Sequence, residues 1–199
     1  RYIDPLNHSV LADYEKLKYW MPVDFYVGGQ EHAVGHLLYS RFWTKFLYDI
    51  GVSPVDEPFK KLVHQGMLCR FGAKMSKSKG NGVNPDDIVN QFGADTLRVY
   101  LMFMGPFTDG GDWNDRGITG ISRFVERFYT LITSPHLEKD DENVARTLHA
   151  TIKKVGEDIE TIHFNTALAA MMSLINEASS TGLSLKSKRL LQKIFKKSP

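Results

Sequence analysis

The chain concentrates its most chemically pointed residues in one nine-residue stretch, Lys74-Met75-Ser76-Lys77-Ser78-Lys79-Gly80-Asn81-Gly82. Three lysines and two serines on a glycine-ended segment suit a polyphosphate. Small residues let the backbone approach a ligand, and the ammonium groups of Lys74 and Lys77 can follow charge that develops on phosphate oxygens as a bond breaks. That is electrostatic catalysis without a covalent step. A lysine-rich run alone would instead read as a solvated face or a nucleic-acid patch. A second set of residues starts at Gly28-Gly29 and continues through Glu31, His32 and His36. A Gly-Gly turn at a helix N-terminus brings a sugar or phosphate close to backbone N–H groups, and Glu31 can accept hydrogen bonds from ribose hydroxyls. His32 and His36 are spaced by one helical turn, as a metal pair would be. No cysteine or third histidine lies nearby, so the two are read as pocket or core residues and no metal site is assigned.

These residues need elements to hold them. Residues 23–27 have strand composition and run into the Gly-Gly turn. Val34, Leu38, Phe42, Phe46 and Ile50 then recur every four residues, a helix stopped by Gly51. The segment from Lys61 to Leu68 is apolar enough for one strand before the lysines. Asn84-Pro85-Asp86-Asp87 opens a helix after them, with an N-cap residue followed by proline at the first helical position. The lysines are therefore expected on a strand-to-helix loop. A short helix closed by Gly93 follows, then a second one capped by Asp95 with an apolar stripe of Leu97, Leu101 and Met104. The strand-bearing part should end at Gly105-Pro106. Residues 107–113 read as a turn, and the spacing of Asp109 and Asp112 is wrong for an EF-hand loop. Beyond it only helical periods remain. They run through Ile118, Ile121, Val125, Phe128 and Ile132, then Val144 to Ile162, then Leu168, Met171, Met172 and Ile175. Stripes of this kind are core, and antiparallel bundle packing is expected. The last segment, with Lys186, Lys188, Arg189, Lys193, Lys196 and Lys197 around Leu190, Leu191, Ile194 and Phe195, is a basic amphipathic helix.

Length and composition set the outer limits. With 199 residues, 42% of them hydrophobic, the chain can bury a substantial core, and its net charge of +2 leaves any RNA contact to local basic clusters. The single cysteine, Cys69, excludes an internal disulfide framework and a cysteine zinc site, which fits a reducing cytoplasm. No apolar run approaches the ~20 residues of a membrane span. The chain starts at Arg1 without a signal-peptide core and ends on Lys196-Lys197-Ser198-Pro199, so a piece of a longer protein is expected.

Lys74 to Ser78 reads KMSKS letter for letter and so resembles the second ATP-binding motif of the class I aminoacyl-tRNA synthetases. Tyr26-Val27-Gly28-Gly29-Gln30-Glu31-His32-Ala33, continued by His36-Leu37-Leu38-Tyr39, resembles the leucyl-tRNA synthetases more closely than the valyl, isoleucyl or methionyl branches. The resemblance implies a fold class: the α/β second half of a class I nucleotide-binding, Rossmann-like domain, followed by an all-α helical bundle. The first domain would cover residues 1–106 and a truncated anticodon-binding bundle residues 107–199. It implies ATP as substrate, accompanied by magnesium, with leucine and tRNA(Leu) as partners. By the same resemblance Lys77 and Lys74 would be catalytic. Gly28, Gly29, Glu31, Met67, Leu68, Lys74, Met75, Ser76, Lys77 and Ser78 would bind ATP or the adenylate, and His32 and His36 would shape the leucine pocket. Plain core residues would explain Met67 and Leu68 equally well.

Two departures from the family qualify this. Many bacterial leucyl enzymes carry an inserted module just before the lysine loop, whereas here only five residues separate Leu68 from Lys74. The family's first ATP motif, the HIGH tetrapeptide, is nowhere in the chain. The isolated chain is therefore expected to be inactive, and either to self-associate through bare bundle faces or to fold its tail helix back over them. The alternatives are an RNA- or tRNA-binding module with a vestigial nucleotide loop, or a synthetase of the valyl or isoleucyl type.

Overall fold

Asp13 accepts a hydrogen bond from the amide of Lys16 and so starts α1 (Tyr14–Trp20), the first regular element of the computed structural model. Residues 2–197 are described, with side chains through 195. The terminal Ser198-Pro199 and the side chains of Lys196 and Lys197, part of the expected basic tail, lie outside them. The chain divides into two units, residues 1–66 and 67–199.

In the first unit, β1 (Tyr26–Val27) pairs in parallel with β2 (Leu62–Val63), Tyr26 opposite Leu62 and Val27 opposite Val63. The strand expected over 23–27 is shorter, with Val23 making only an isolated parallel bridge to Phe59. After Gly29 the chain winds through a tight turn at Gln30–His32 and a wide π turn at Ala33–Leu37 before α2 (Leu38–Asp49). The helix expected from Val34 onward is thus broken at Gly35, whose φ of −111° and ψ of −112° are not helical. Its four-residue stripe is real but stands exposed, Val34 at 82% and Phe42 at 61%. A face of this kind needs a covering layer, and the described residues leave these side chains without one.

The second unit opens with β3 (Met67–Arg70), so Lys61 to Leu68 is not one strand; it is interrupted at residues 64–66. Phe71 (φ 57°) and Gly72 (φ 71°) turn the chain back into β4 (Ala73–Lys74), antiparallel to β3. Positive φ at both central residues is the turn that matches strand twist. Residues 107–113 are more than a turn, because β5 (Gly110–Asp112) runs parallel to β3. Strand structure therefore continues beyond Pro106. Asn84 caps α3 (Pro85–Phe92) as its sequence predicts, accepting from the amide of Asp86. Gly93 (φ 87°), not Asp95, caps α4 (Ala94–Phe103); Asp95 sits in its first turn. The buried face of α4 is Thr96 and Tyr100, and Leu101 is exposed.

The bundle consists of α5 (Asp115–Thr133), α6 (Glu142–Glu160), α7 (Phe164–Thr181) and α8 (Leu185–Lys197). Its core joins Phe124, Leu148, Val155, Leu168, Met171 and Leu174 with Leu191 and Ile194 of α8. Each fully buried aliphatic or aromatic side chain contributes about 1.5–3 kcal/mol. Met171 and Ile175, expected to be covered by self-association or by a folded-back tail helix, are buried within the chain, and Phe195 stacks on Phe128 at 3.7 Å between ring centroids. The tail helix folds back onto α6 and, through Phe195, onto Phe124 and Phe128 of α5, and so shares the core that buries Met171 and Ile175. One of its basic residues is structural: Lys188 is buried and donates to the carbonyls of Ser134 (2.6 Å) and Pro135 (3.3 Å) just past the end of α5. Asp140 receives the amide and hydroxyl of Ser184 and the hydroxyl of Ser187 at the start of α8.

Candidate active site

The lysine loop leaves β4 at Lys74, the last strand residue, and reaches α3 at Pro85. It is short on regular structure and well tied. Ser76 caps a single 3-10 turn at Lys77–Lys79, its hydroxyl accepting from the amide of Lys79 (3.2 Å) and lying 3.1 Å from the Ser78 hydroxyl. Gly80 closes the turn at φ 61°, a conformation that favours glycine. Asn81 then folds back: its side-chain oxygen accepts from the amide of Ser76 (2.9 Å), and its amide group reaches the carbonyls of Ala73 (3.3 Å) and Lys74 (3.2 Å). The residue that pins the loop is thus Asn81, which residue type alone did not single out. An Asx side chain bonding its own backbone neighbourhood is the available signal.

Met75 anchors the other side. It packs against the cluster of Tyr100, Trp113, Ile118 and Ile121, and its amide donates to the carbonyl of Leu68 (3.2 Å). One side chain of the five-letter motif therefore points into the core, while Lys74, Lys77 and Ser78 are exposed and Ser76 is half-buried. Met67 and Leu68 on β3 are exposed, at 44% and 37%, so they are not plain core residues of this chain.

The Gly-Gly group lies in the first unit. The amide of Gly28 donates to the carbonyl of Val63 (3.3 Å), and its own carbonyl lies 2.8 Å from Nδ1 of His64. His64 went unnoticed in the sequence; it fixes the turn at the end of β1. A Cβ on Gly28 would lie 3.3 Å from the Tyr26 ring, and one on Gly29 would run into the carboxylate of Glu31, which folds back over that glycine. His36 is held by Tyr26, its Nδ1 2.9 Å from the phenol oxygen and the two rings nearly parallel at 5.5 Å. His32 is exposed on the tight turn. With Gly35 breaking the helix between them, the two histidines do not sit on one regular helical face. The Gly-Gly and histidine group belongs to residues 1–66, and Met67, Leu68 and the lysine loop to residues 67–199.

Among the described residues no group of three or more His, Cys, Asp and Glu side chains is placed to hold a metal ion, and no helix is long and apolar enough to cross a membrane.

The family model described as tRNA synthetases class I (I, L, M and V) matches residues 6–113, from α1 through β5. The chain belongs to the class I tRNA synthetases. Among solved structures, this class I chain is similar to an Agrobacterium radiobacter leucyl-tRNA synthetase (LeuRS) in a ternary complex with tRNA and LeuAMS. The identity is 35% and the TM-score 0.79, over 92% of this chain and 27% of that one. Two structures of the Mycobacterium tuberculosis methionyl-tRNA synthetase with methionyl-adenylate share its fold at a TM-score of 0.61. They are 21% and 22% identical over 84% of this chain and 35% of theirs. The chain thus spans about a quarter to a third of the length of these synthetases. Its fold class is that of a class I synthetase, short mixed sheets followed by a helical bundle.

Proposed function

We propose that this class I chain is the lysine-loop part of a leucine-tRNA ligase, working within a longer polypeptide that activates leucine with ATP and transfers it to tRNA(Leu). The observation that carries the proposal is the loop, pinned by Asn81 and Met75 on one side and exposing Lys74 and Lys77 on the other. Leucine rather than methionine is favoured by 35% identity to the LeuRS against 21–22% to the methionyl enzymes.

In the activation step a carboxylate oxygen of leucine attacks the α-phosphorus of ATP. A new oxygen–phosphorus bond forms, the bond to the β-phosphate bridge breaks, and pyrophosphate leaves with the electron pair. Lys77 above all, and Lys74, neutralise that leaving charge, while the hydroxyl of the exposed Ser78 donates to phosphate oxygens. Met67 and Leu68 offer an apolar edge for adenine. Gly28, Gly29 and Glu31 take the ribose side, and His32 and His36 the amino-acid side. In the second step a ribose hydroxyl of the terminal tRNA nucleotide attacks the leucyl carbonyl and AMP leaves. Magnesium travels with ATP in such chemistry; among the described residues no group of three or more His, Cys, Asp and Glu side chains would hold it. The exposed Lys186, Arg189 and Lys193 of α8 are a second basic cluster for RNA, from which the buried Lys188 is withdrawn.

Amino-acid-dependent exchange of pyrophosphate into ATP by the complete polypeptide tests this. Leucine should drive exchange well above isoleucine, valine and methionine. Exchange driven by one of those instead would reassign the amino acid, and none with any amino acid would favour an RNA-binding module with a vestigial loop.

A further inference from the structure

We propose that Arg70, Asp115 and Trp113 form a positioning latch for the lysine loop, locking the β3–β4 hairpin that delivers Lys74 onto the first turn of α5. It rests on the loop being the phosphate-handling element proposed above. Arg70 ends β3 and faces Ala73 across the hairpin, and the adjacent rung pairs Cys69 with Lys74. Whatever fixes Arg70 therefore fixes the start of the loop. Nη2 of Arg70 donates to Oδ2 of Asp115 at 2.9 Å, and the other carboxylate oxygen accepts from Trp113 Nε1 at 2.7 Å. Asp115 is the first residue of α5, where the helix N-terminus favours a negative charge. The indole N–H of Trp113 and then the Arg70 guanidinium hold its carboxyl below the usual carboxylate range.

Further bonds join the same two segments. The Trp113 amide donates to the carbonyl of Cys69 at 2.8 Å, and the amide of Gly72, in the hairpin turn, donates to Oδ1 of Asp112 at 3.2 Å. The guanidinium lies over the ring of Phe71, 5.0 Å from its centroid. Trp113 itself belongs to the cluster that seats Met75. The loop's first lysine and its half-buried methionine are thus both referred to residues 112–121.

The pair is ill suited to stabilising the fold. Asp115 is 63% exposed, and ion pairs with one partner in water contribute little. Nε of Arg70 is buried with no hydrogen-bond partner, which is a cost. What the arrangement does supply is direction: a carboxylate fixed by an indole and a helix terminus leaves the guanidinium one place to go. Arg70 and Asp115 act through the loop and touch no reacting atom.

Arg70→Met and Asp115→Asn, singly and together in the full chain, test the latch by native-state digestion with a lysine-specific protease. Cleavage after Lys77 and Lys79 should accelerate about fivefold or more in each single variant, because cutting tracks the open population of the loop. The double variant should be no faster than either single one, since both break the same contact. Cleavage after Lys153 and Lys154, exposed on α6, and the Tm should stay close to the parent. Unchanged cutting in the loop would overturn the latch, and so would an equal acceleration at Lys153 with a lowered Tm, which marks general loosening. In the complete synthetase the same variants should lower kcat for pyrophosphate exchange by about tenfold with the amino-acid KM unchanged, the mark of misplacement rather than lost binding. The digestion needs no amino acid to be activated, so a failure of the leucine proposal would leave it standing.

Discussion

Asn81 and Met75 decide what Lys74 and Lys77 can do, because a flexible lysine far from fixed backbone would lose its ordering entropy on each turnover. Asn81 makes three hydrogen bonds to the loop backbone, to Ser76, Ala73 and Lys74, and Met75 is seated against Trp113 and Ile118. The lysines were legible in the sequence because charge and spacing are written there. The roles of Asn81, His64 and Arg70 were not, since each depends on a partner across a turn or a strand pair that no local pattern reveals. His36 lies between these cases: its place after the Gly-Gly turn is sequence information, while its contact with the Tyr26 ring is not. That contact orients the imidazole, so His36→Ala should act on the amino acid and not on the phosphates. The kcat/KM ratio of leucine over isoleucine should shift by about 1–2 kcal/mol, the scale of one methylene in a pocket. A rise in the ATP KM with an unchanged amino-acid preference would contradict this placement.

At the scale of elements, helices were read well and short strands poorly. Stripes such as Leu168, Met171 and Ile175 repeat over several turns, whereas β5 is three residues, two of them glycine, and exists only because β3 lies beside it. The helix after the Gly-Gly turn was right in kind and late in start, since Gly35 permits a backbone conformation that the apolar period does not register. The middle of α2 is tied to the following connection by Glu57, which takes two bonds from Arg41 (2.7 and 2.9 Å) and lies 2.8 Å from Lys45. Its carboxyl is lowered from the ordinary 4.5 to about 2, first by the Arg41 hydrogen bonds and then by Lys45. A lowered folded-state value means that its stabilising contribution is present above about 4.5 and fades as the pH falls toward 2. The urea midpoint of the parent should therefore drop more between pH 5 and pH 3 than that of Glu57→Gln. Parallel loss in the two proteins would show that Glu57 carries no linkage.

For the whole molecule, the described residues bury the bundle and leave α2 uncovered. Leu38, Phe42 and Trp43 are exposed, whereas α8 closes over α6 and, through Phe195, over Phe124 and Phe128 of α5. A nucleotide in a doubly wound fold binds where strands and glycine turns from both halves converge, and the chain spans 27% of the LeuRS it resembles. The 199-residue chain should therefore fold, as judged by cooperative melting, yet show no leucine-dependent pyrophosphate exchange. Exchange by the chain alone would contradict that. Whether Lys77 serves the transition state of adenylate formation is read from single-turnover formation of leucyl-adenylate by the complete polypeptide. Lys77→Ala should slow that step by roughly 2 to 4 kcal/mol, the loss expected when one preorganised donor to a developing anion is removed, while leucine affinity stays near the parent value. An unchanged rate of adenylate formation with collapsed leucine binding would contradict the role assigned to the loop.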